Sequence, residues 1–262
     1  MKKLILIPVI LVLAVSLIVS TIFIWDYYSK SNEQKAVYDE LASIVTNTDT
    51  TEEISTTVSE QGTDDKQHTE SNKVVSVNFT ELNTLNSDTV GWIKVDGTPI
   101  NYPVVQSKDK PNFYIDHNFY KQGSVYGCPF VQENCDVNEP SDNVVIYGHN
   151  MNDGSMFAGL NKYTSHNFYK AHKYIEFDTL YEKHRYEIVS VFKTSAQSGF
   201  RYYGFVNASS SDDLNSYIST CKELSLYDTG VSASYGEKLI TLSTCEYTHT
   251  NGRLVVVAKR IN

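Results

Sequence analysis

The chain has 262 residues, 41% of them hydrophobic and 20% charged, with a formal net charge of −9 and four cysteines. That acidic balance argues against a nucleic-acid partner, which requires a basic face, and four cysteines in a chain of this length do not make a disulfide scaffold. Much of the acidic excess lies between Thr46 and Glu70, so it says little about the folded part.

Lys2 and Lys3 precede an uncharged apolar run from Leu4 to Trp25. About 20 apolar residues cross a bilayer core. The run is longer than a signal-peptide core, and its best cleavage-like triplet, Ala14-Val15-Ser16, falls in its middle rather than after it. The expectation is an uncleaved signal-anchor over residues 1–28, with the lysines cytoplasmic and the bulk of the chain outside. Trp25, Tyr27 and Tyr28 then form a belt at the outer interface of the lipid bilayer. Ala36, Val37, Leu41 and Ile44 recur at helical spacing, which predicts a short membrane-proximal helix. From Thr46 to Ser71 the chain is almost bare of large apolar residues and too polar to bury a core. It reads as a flexible stalk that completes a linker over residues 29–72. The folded domain then occupies residues 73–262, ample for one core.

Within that domain, Asn78-Phe79-Thr80-Glu81 has the pattern of an N-cap with an acidic partner, and Phe79, Leu82 and Leu85 form the buried face of the helix it opens. Val90–Val95, the turn Asp96-Gly97 and Ile100–Val105 make a hairpin, with Pro103 implying an edge strand or a bulge. Further β-rich runs follow at Ser124–Val131, Asn143–Tyr147, Tyr174–Phe177, Tyr186–Thr194, Leu239–Thr244 and Arg253–Arg260. Eight short strands punctuated by Gly, Asn and Asp predict a mainly β fold, a barrel or a sandwich. Two helical inserts interrupt them, Ser155–Lys162 and Ser211–Leu226. The second opens on Ser211-Asp212-Asp213, a cap with an acidic first turn. Cys221 falls on its apolar face with Leu214, Tyr217, Ile218 and Leu224. Cys128 and Cys135 are close enough in sequence to pair, and equally compatible with two shielded thiols.

The chemistry concentrates in KLITLSTCEYTHTNGRLVVVAKR, residues Lys238 to Arg260. The pattern is a strand, a loop carrying Asn251-Gly252 and a returning strand, with Cys245 ending the first strand and Arg253 opening the second. Two strand ends can hold a thiol and a guanidinium over one spot. A thiolate is the reactive form of cysteine, and a neighbouring cation or imidazolium favours it. Upstream, the apolar strand Asn143–Tyr147 ends in Gly148-His149-Asn150, which sets a histidine at another strand end beside a glycine. Of the other histidines, His249 is the rival, four residues from Cys245. His68 lies in the stalk. His117, His166, His172 and His184 lack a strand-end setting. No Cys or His pair has the spacing of a zinc set beyond the ambiguous His166 and His172, so neither a metal nor a cofactor is expected. Taken singly, each of the three residues has a bland explanation: an inert buried thiol, a hydrogen-bonded strand-end histidine, a surface arginine.

TLSTC followed by Arg253, with YGHN upstream, resembles the catalytic set of the sortases, membrane-anchored cysteine transpeptidases of Gram-positive bacteria. WIKVDGTPINYPVVQ, the stretch Asn112-Phe113-Tyr114-Ile115 and the long helical insert between the late strands are similar to class B sortases. The resemblance spans the whole chain after the stalk. It implies an eight-stranded sortase-type β-barrel with an N-terminal helix, preceded by one transmembrane helix. It further implies that Cys245 attacks the carbonyl after the threonine of a C-terminal sorting signal. His149 would then act as acid and base, and Arg253 would stabilise the oxyanion or hold the substrate backbone. The implied partners are surface proteins bearing such signals and an amine of peptidoglycan or its lipid-linked precursor. Ser243 and Glu246, flanking the nucleophile, are candidates for lining the substrate groove. Some class B sortases carry an aspartate two residues after the cysteine; here Glu246 and then Tyr247 follow, so no carboxylate joins the catalytic set. L,D-transpeptidases differ in setting their cysteine after Ser-x-Gly with an arginine almost adjacent, and papain-like peptidases place cysteine before histidine. The non-enzymatic alternative is a membrane-tethered barrel that binds a peptide or a wall polymer.

Overall fold

The computed structural model describes residues 2–46, 77–248 and 250–262. The predicted stalk beyond Thr46, the predicted domain start near Lys73 and His249 lie outside the described residues. The chain forms two compact units, Met1–Glu40 and Leu41–Asn262.

Helix α1 runs unbroken over Lys2–Thr46, so the membrane-proximal helix expected from Ser29 onward is continuous with the apolar segment. Among the described residues, this is the one helix long and apolar enough to cross a membrane. From Leu11 to Trp25 its large apolar side chains are exposed. A helix that is apolar all round requires apolar surroundings.

The second unit is built on eight strands: β1 (Thr89–Lys94), β2 (Asn101–Val105), β3 (Phe130–Val131), β4 (Asn143–Tyr147), β5 (Tyr174–Thr179), β6 (Arg185–Ser195), β7 (Leu239–Glu246) and β8 (Gly252–Arg260). They close into a barrel in the order β1-β2-β3-β4-β7-β8-β6-β5. Pairings β2–β3 and β4–β7 are parallel, and the others antiparallel. The strand pattern alone left barrel and sandwich open; the closed barrel is the one the resemblance implied. Ile93, Val104, Ile146, Leu242, Val256 and Phe192 are fully buried in its core.

Pro103 faces Trp92 in the β1–β2 ladder, while on its other side β2 meets β3 only at Val105–Phe130. The missing N–H of Pro103 thus costs no ladder bond, although a closed barrel has no edge. The run expected as a strand over Ser124–Val131 is strand only at Phe130–Val131. Gly127 takes a left-handed conformation with φ 60°, which interrupts extended backbone before that point.

Helix α2 (Val77–Leu85) starts one residue before the predicted cap and buries Phe79 and Leu82, whereas Leu85 is exposed. The first insert is a 3₁₀ helix, Phe157–Thr164, followed by the short helix α3 (His166–Ala171). In the second, α4 (Ser211–Leu224), the cap is Ser210 rather than Ser211: its side chain accepts from the Asp213 N–H. Leu214, Tyr217, Ile218 and Cys221 are buried as expected, but Leu224 is 40% exposed at the last turn. Burying the leucine and isoleucine alone contributes about 1.5–3 kcal/mol each. α4 packs on the outer side of the barrel, where the Ser190 hydroxyl donates to the Cys221 carbonyl at 2.5 Å.

Candidate active site

Strand register places the site. Cys245 and Arg253 are directly opposed across the antiparallel β7–β8 pair, so both side chains leave the same face with Cβ atoms about 4.5–5.5 Å apart. The parallel β4–β7 ladder ends at Tyr147–Ser243 and is prolonged by a bond from the Gly148 N–H to the Ser243 carbonyl at 3.2 Å. Two residues further on in each chain stand His149 and Cys245. His149, Cys245 and Arg253 therefore fall in one row across three neighbouring strand ends. The pairing is held past the ladder by Asn150, whose side-chain amide donates to the Cys245 carbonyl at 2.8 Å. The Thr244 hydroxyl likewise donates to the Gly148 carbonyl at 2.8 Å.

All three residues are half-buried and line one cleft of about 260 Å³. Five aromatic side chains, Tyr114, Phe130, Tyr147, Tyr202 and Tyr203, contribute to its walls beside Ile115 and Cys128. The His149 Nε2 lies 2.6 Å from the Ile115 carbonyl oxygen. Among the described residues the Arg253 guanidinium is engaged only through Nη1, which donates to the carbonyls of Gly252 at 2.9 Å and Asn251 at 3.4 Å. Nε and Nη2 have no hydrogen-bond partner among the described residues. Asn251, at φ 54°, turns the chain into β8 there.

Ser243 and Glu246 are placed differently. Ser243 contributes to the cleft wall, but its hydroxyl is buried and shared with the Tyr202 hydroxyl at 2.7 Å. Glu246 lies one residue beyond Cys245, and alternation along a strand turns it to the opposite face. The structure does not bring it into the cleft: its carboxylate, 6% exposed, accepts from the Lys193 ammonium at 2.8 Å and from the Thr248 hydroxyl at 2.7 Å. Burial alone would push the Glu246 carboxyl up, but Lys193 and Thr248 outweigh it and hold it down at about 2. The expectation that Glu246 lines the groove is corrected accordingly.

Burial pushes the Cys135 thiol up to about 11 and the Cys221 thiol to about 12, which keeps both protonated. All four cysteines are free thiols. Cys128 and Cys135 make separate contacts, with the carbonyls of Pro103 and Asn143. Among the described residues no group of three or more His, Cys, Asp or Glu side chains has the arrangement of a metal site.

Sequence reasoning missed Asn150 and the Ile115 carbonyl. The first stood in plain view after His149 but had no partner in sequence. The second is a main-chain atom that no side-chain pattern reports.

A closed barrel with a thiol, an imidazole and a guanidinium on one aromatic cleft has the make-up of a cysteine enzyme built on strand ends. The sortase-domain family model matches residues 93–261. Sortase B of Staphylococcus aureus is 35% identical over 185 residues, 70% of this chain and 74% of that protein. Sortase B of Listeria monocytogenes is 35% identical over 202 residues, 76% and 80% of the two chains. Among solved structures, a Staphylococcus aureus sortase B–substrate complex superimposes with a TM-score of 0.74 at 28% identity, covering 89% of this chain and 99% of that one. Clostridium perfringens sortase B gives 0.65 at 36% identity, covering 70% and 100%. The chain belongs to the sortase family, and within it to class B: a cysteine transpeptidase that anchors surface proteins.

Proposed function

We propose that Cys245 is the nucleophile of the transpeptidation, His149 its general acid and base, and Arg253 the group that stabilises the oxyanion or holds the substrate backbone. The observation that carries this assignment is the single row of His149, Cys245 and Arg253 on one cleft. With the thiol proton transferred to His149, Sγ attacks the carbonyl carbon after the threonine of a sorting signal, and the C–N bond breaks as the leaving nitrogen takes that proton from His149. A thioester remains. An incoming amine from peptidoglycan or its lipid-linked precursor gives a proton to His149 and displaces Sγ as the new amide forms. A preorganised donor at the oxyanion typically contributes 10²–10³ in rate, and the free guanidinium nitrogens of Arg253 suit that role. The relative from Staphylococcus aureus solved as a substrate complex supports a peptide in the cleft, and the apolar aromatic walls favour an extended, uncharged segment.

Residues 1–28 anchor the chain in the lipid bilayer as a single pass, residues 29–72 link it, and residues 73–262 form the catalytic domain outside. Lys2 and Lys3 before the apolar run support a cytoplasmic N-terminus.

The test uses the full chain in detergent with quenched-fluorescence peptides bearing NPQTN-, LPXTG- and PPXTG-type motifs. The expected result is cleavage after threonine for at least one motif, abolished by Cys245→Ala and nearly so by His149→Ala. Cleavage surviving Cys245→Ala in folded protein overturns the mechanism, and a deeper loss in His249→Ala than in His149→Ala overturns the histidine assignment.

A further inference from the structure

A histidine that works as acid and base must present one particular ring nitrogen to the reacting atoms, and what fixes that choice is the bond its other nitrogen makes. In the serine-protease pattern a carboxylate does this. Here the partner of His149 is a main-chain carbonyl. Nε2 lies 2.6 Å from the oxygen of Ile115. A carbonyl oxygen only accepts, so Nε2 carries a proton. A ring turned over would set Cε1 there and give up the bond. Nδ1 has no hydrogen bond to any described residue.

The Ile115 carbonyl is itself held. The Ile115 N–H donates to Asn112 O at 3.0 Å, the Cys128 N–H to Tyr114 O at 3.0 Å, and the Ser124 N–H to Asp116 O at 2.8 Å. The first bond closes the 112–115 turn, and the other two clip the 112–116 segment onto the 124–128 segment at the point where Gly127 turns left-handed. A Cβ on Gly127 would lie 2.5 Å from Tyr114 O, 2.9 Å from Ile115 O and 3.2 Å from the His149 Cδ2. Only glycine lets the carbonyl, the turn and the imidazole edge meet, and its φ of 60° independently favours glycine.

These contacts also orient the ring relative to the thiol. Gly127 and Ile115 touch the Cδ2–Nε2 edge of His149. Gly127 leads into β3, on one side of β4, and Cys245 ends β7, on the other. With the Cδ2–Nε2 edge taken up on the β3 side, the Nδ1–Cε1 edge is the one left for the Cys245 side.

We propose that the Ile115 carbonyl, set by Gly127, is the positioning group for His149, and that Nδ1 is the nitrogen that exchanges the proton. This rests on His149 being the acid and base. In the imidazolium both nitrogens carry protons. The Nδ1 proton goes to the leaving amide nitrogen as its C–N bond breaks and returns from the attacking amine, while Nε2–H stays on Ile115 O throughout. The bond is charge-assisted when the ring is protonated, yet the carbonyl adds no net negative charge to the cleft.

The experiment is ¹⁵N–¹H NMR of the histidine rings in the full chain in detergent, labelled at histidine, with His149 identified by its loss in His149→Gln. The pH is raised until the ring is neutral. The expected neutral form has its proton on Nε2. A neutral form protonated on Nδ1 overturns the inference, whether or not Gly127 variants fold. Gly127→Ala, checked for fold by circular dichroism, should lower kcat by about 10- to 100-fold, the order of cost of removing the orienting partner of a metal-ligating histidine, with KM little changed. It should also erode the Nε2 tautomer. Full activity with an unchanged tautomer in folded Gly127→Ala overturns the role of Gly127. The two proposals fail separately: an active His149→Ala removes the acid/base assignment itself, whereas an inactive one with an Nδ1–H tautomer in the wild type removes only the positioning mechanism.

Discussion

Glu246→Gln separates a structural carboxylate from a substrate-binding one. Glu246 sits beside Cys245 in sequence, but its side chain is 6% exposed and bonded to Lys193 and Thr248. Its carboxyl is lowered from 4.5 to about 2; at 1.36 kcal/mol per pKa unit this bounds the linked stability at roughly 3 kcal/mol. The Lys193 side chain is 30% exposed, so solvent screening lowers that figure, and glutamine retains part of the hydrogen bonding. The expected loss is about 1–3 kcal/mol, or roughly 3–9 °C in Tm for a domain of this size. The sign follows from the direction of the shift. The native carboxyl is more acidic than the unfolded one, so its contribution is complete above about 4.5 and disappears as the pH falls towards 2. Thermal unfolding of the detergent-solubilised chain at pH 7, 4 and 3 should show wild type and variant converging on acidification, with cleavage per folded molecule changed only a few-fold. An unchanged Tm together with a loss of activity on the order of 100-fold, the effect of removing a donor that acts in the transition state, would return Glu246 to the substrate.

Asn150→Ala removes the bond to the Cys245 carbonyl and the acceptor of the Asn161 amide, at 2.8 and 2.9 Å. It should cost about 1–2 kcal/mol and lower kcat more than it raises KM, measured by steady-state cleavage; an unaltered kcat would show that Asn150 does not hold the strand ends together. Gly148→Ala puts a Cβ 2.5 Å from the fully buried Phe157 ring, and the overpacking should cost about 1–3 kcal/mol, read as a lower Tm with transfer rates falling because His149 follows directly. Arg253→Lys should lose about 10² in rate, since a point charge does not reproduce a planar fork of donors; near wild-type turnover would reduce Arg253 to a surface cation.

The strands were legible because each carries its own signal: an apolar run of β-formers bounded by glycine, asparagine or aspartate. Leu239–Glu246 and Gly252–Arg260 illustrate this, with Asn251-Gly252 between them. That His149, Cys245 and Arg253 lie close together was legible for the same reason, since all stand at strand ends. Closure was legible only through the motif resemblance and not in the strand pattern itself, because β3 has only two residues and its pairing with β2 rests on Val105 and Phe130, a long-range contact without a local pattern. Glu246 stands next to Cys245 in sequence but not in the cleft, because alternation sends neighbouring strand residues to opposite faces. Leu224 kept helical spacing but falls in the last turn of α4, where the helix ends and exposes its final apolar residue.

The order of the strands explains why so few residues suffice. β4 and β7 run parallel, so both deliver their C-terminal ends to the same mouth of the barrel, one carrying His149 and the other Cys245. β8 returns antiparallel and begins where β7 ends, so Arg253 enters at that mouth as well. No loop has to carry a reactive group over a long distance; the ladders set the spacing. The same economy makes the site sensitive to register. A slip of one residue between β4 and β7 would send His149 to the opposite face, away from the cleft that Cys245 lines. The bonds from Gly148 N–H, Thr244 Oγ1 and Asn150 Nδ2 lie where the regular ladder has stopped and slippage would otherwise begin. The Gly148–His149–Asn150 segment therefore serves two ends at once: its middle residue faces the cleft while its neighbours lock the register that puts it there.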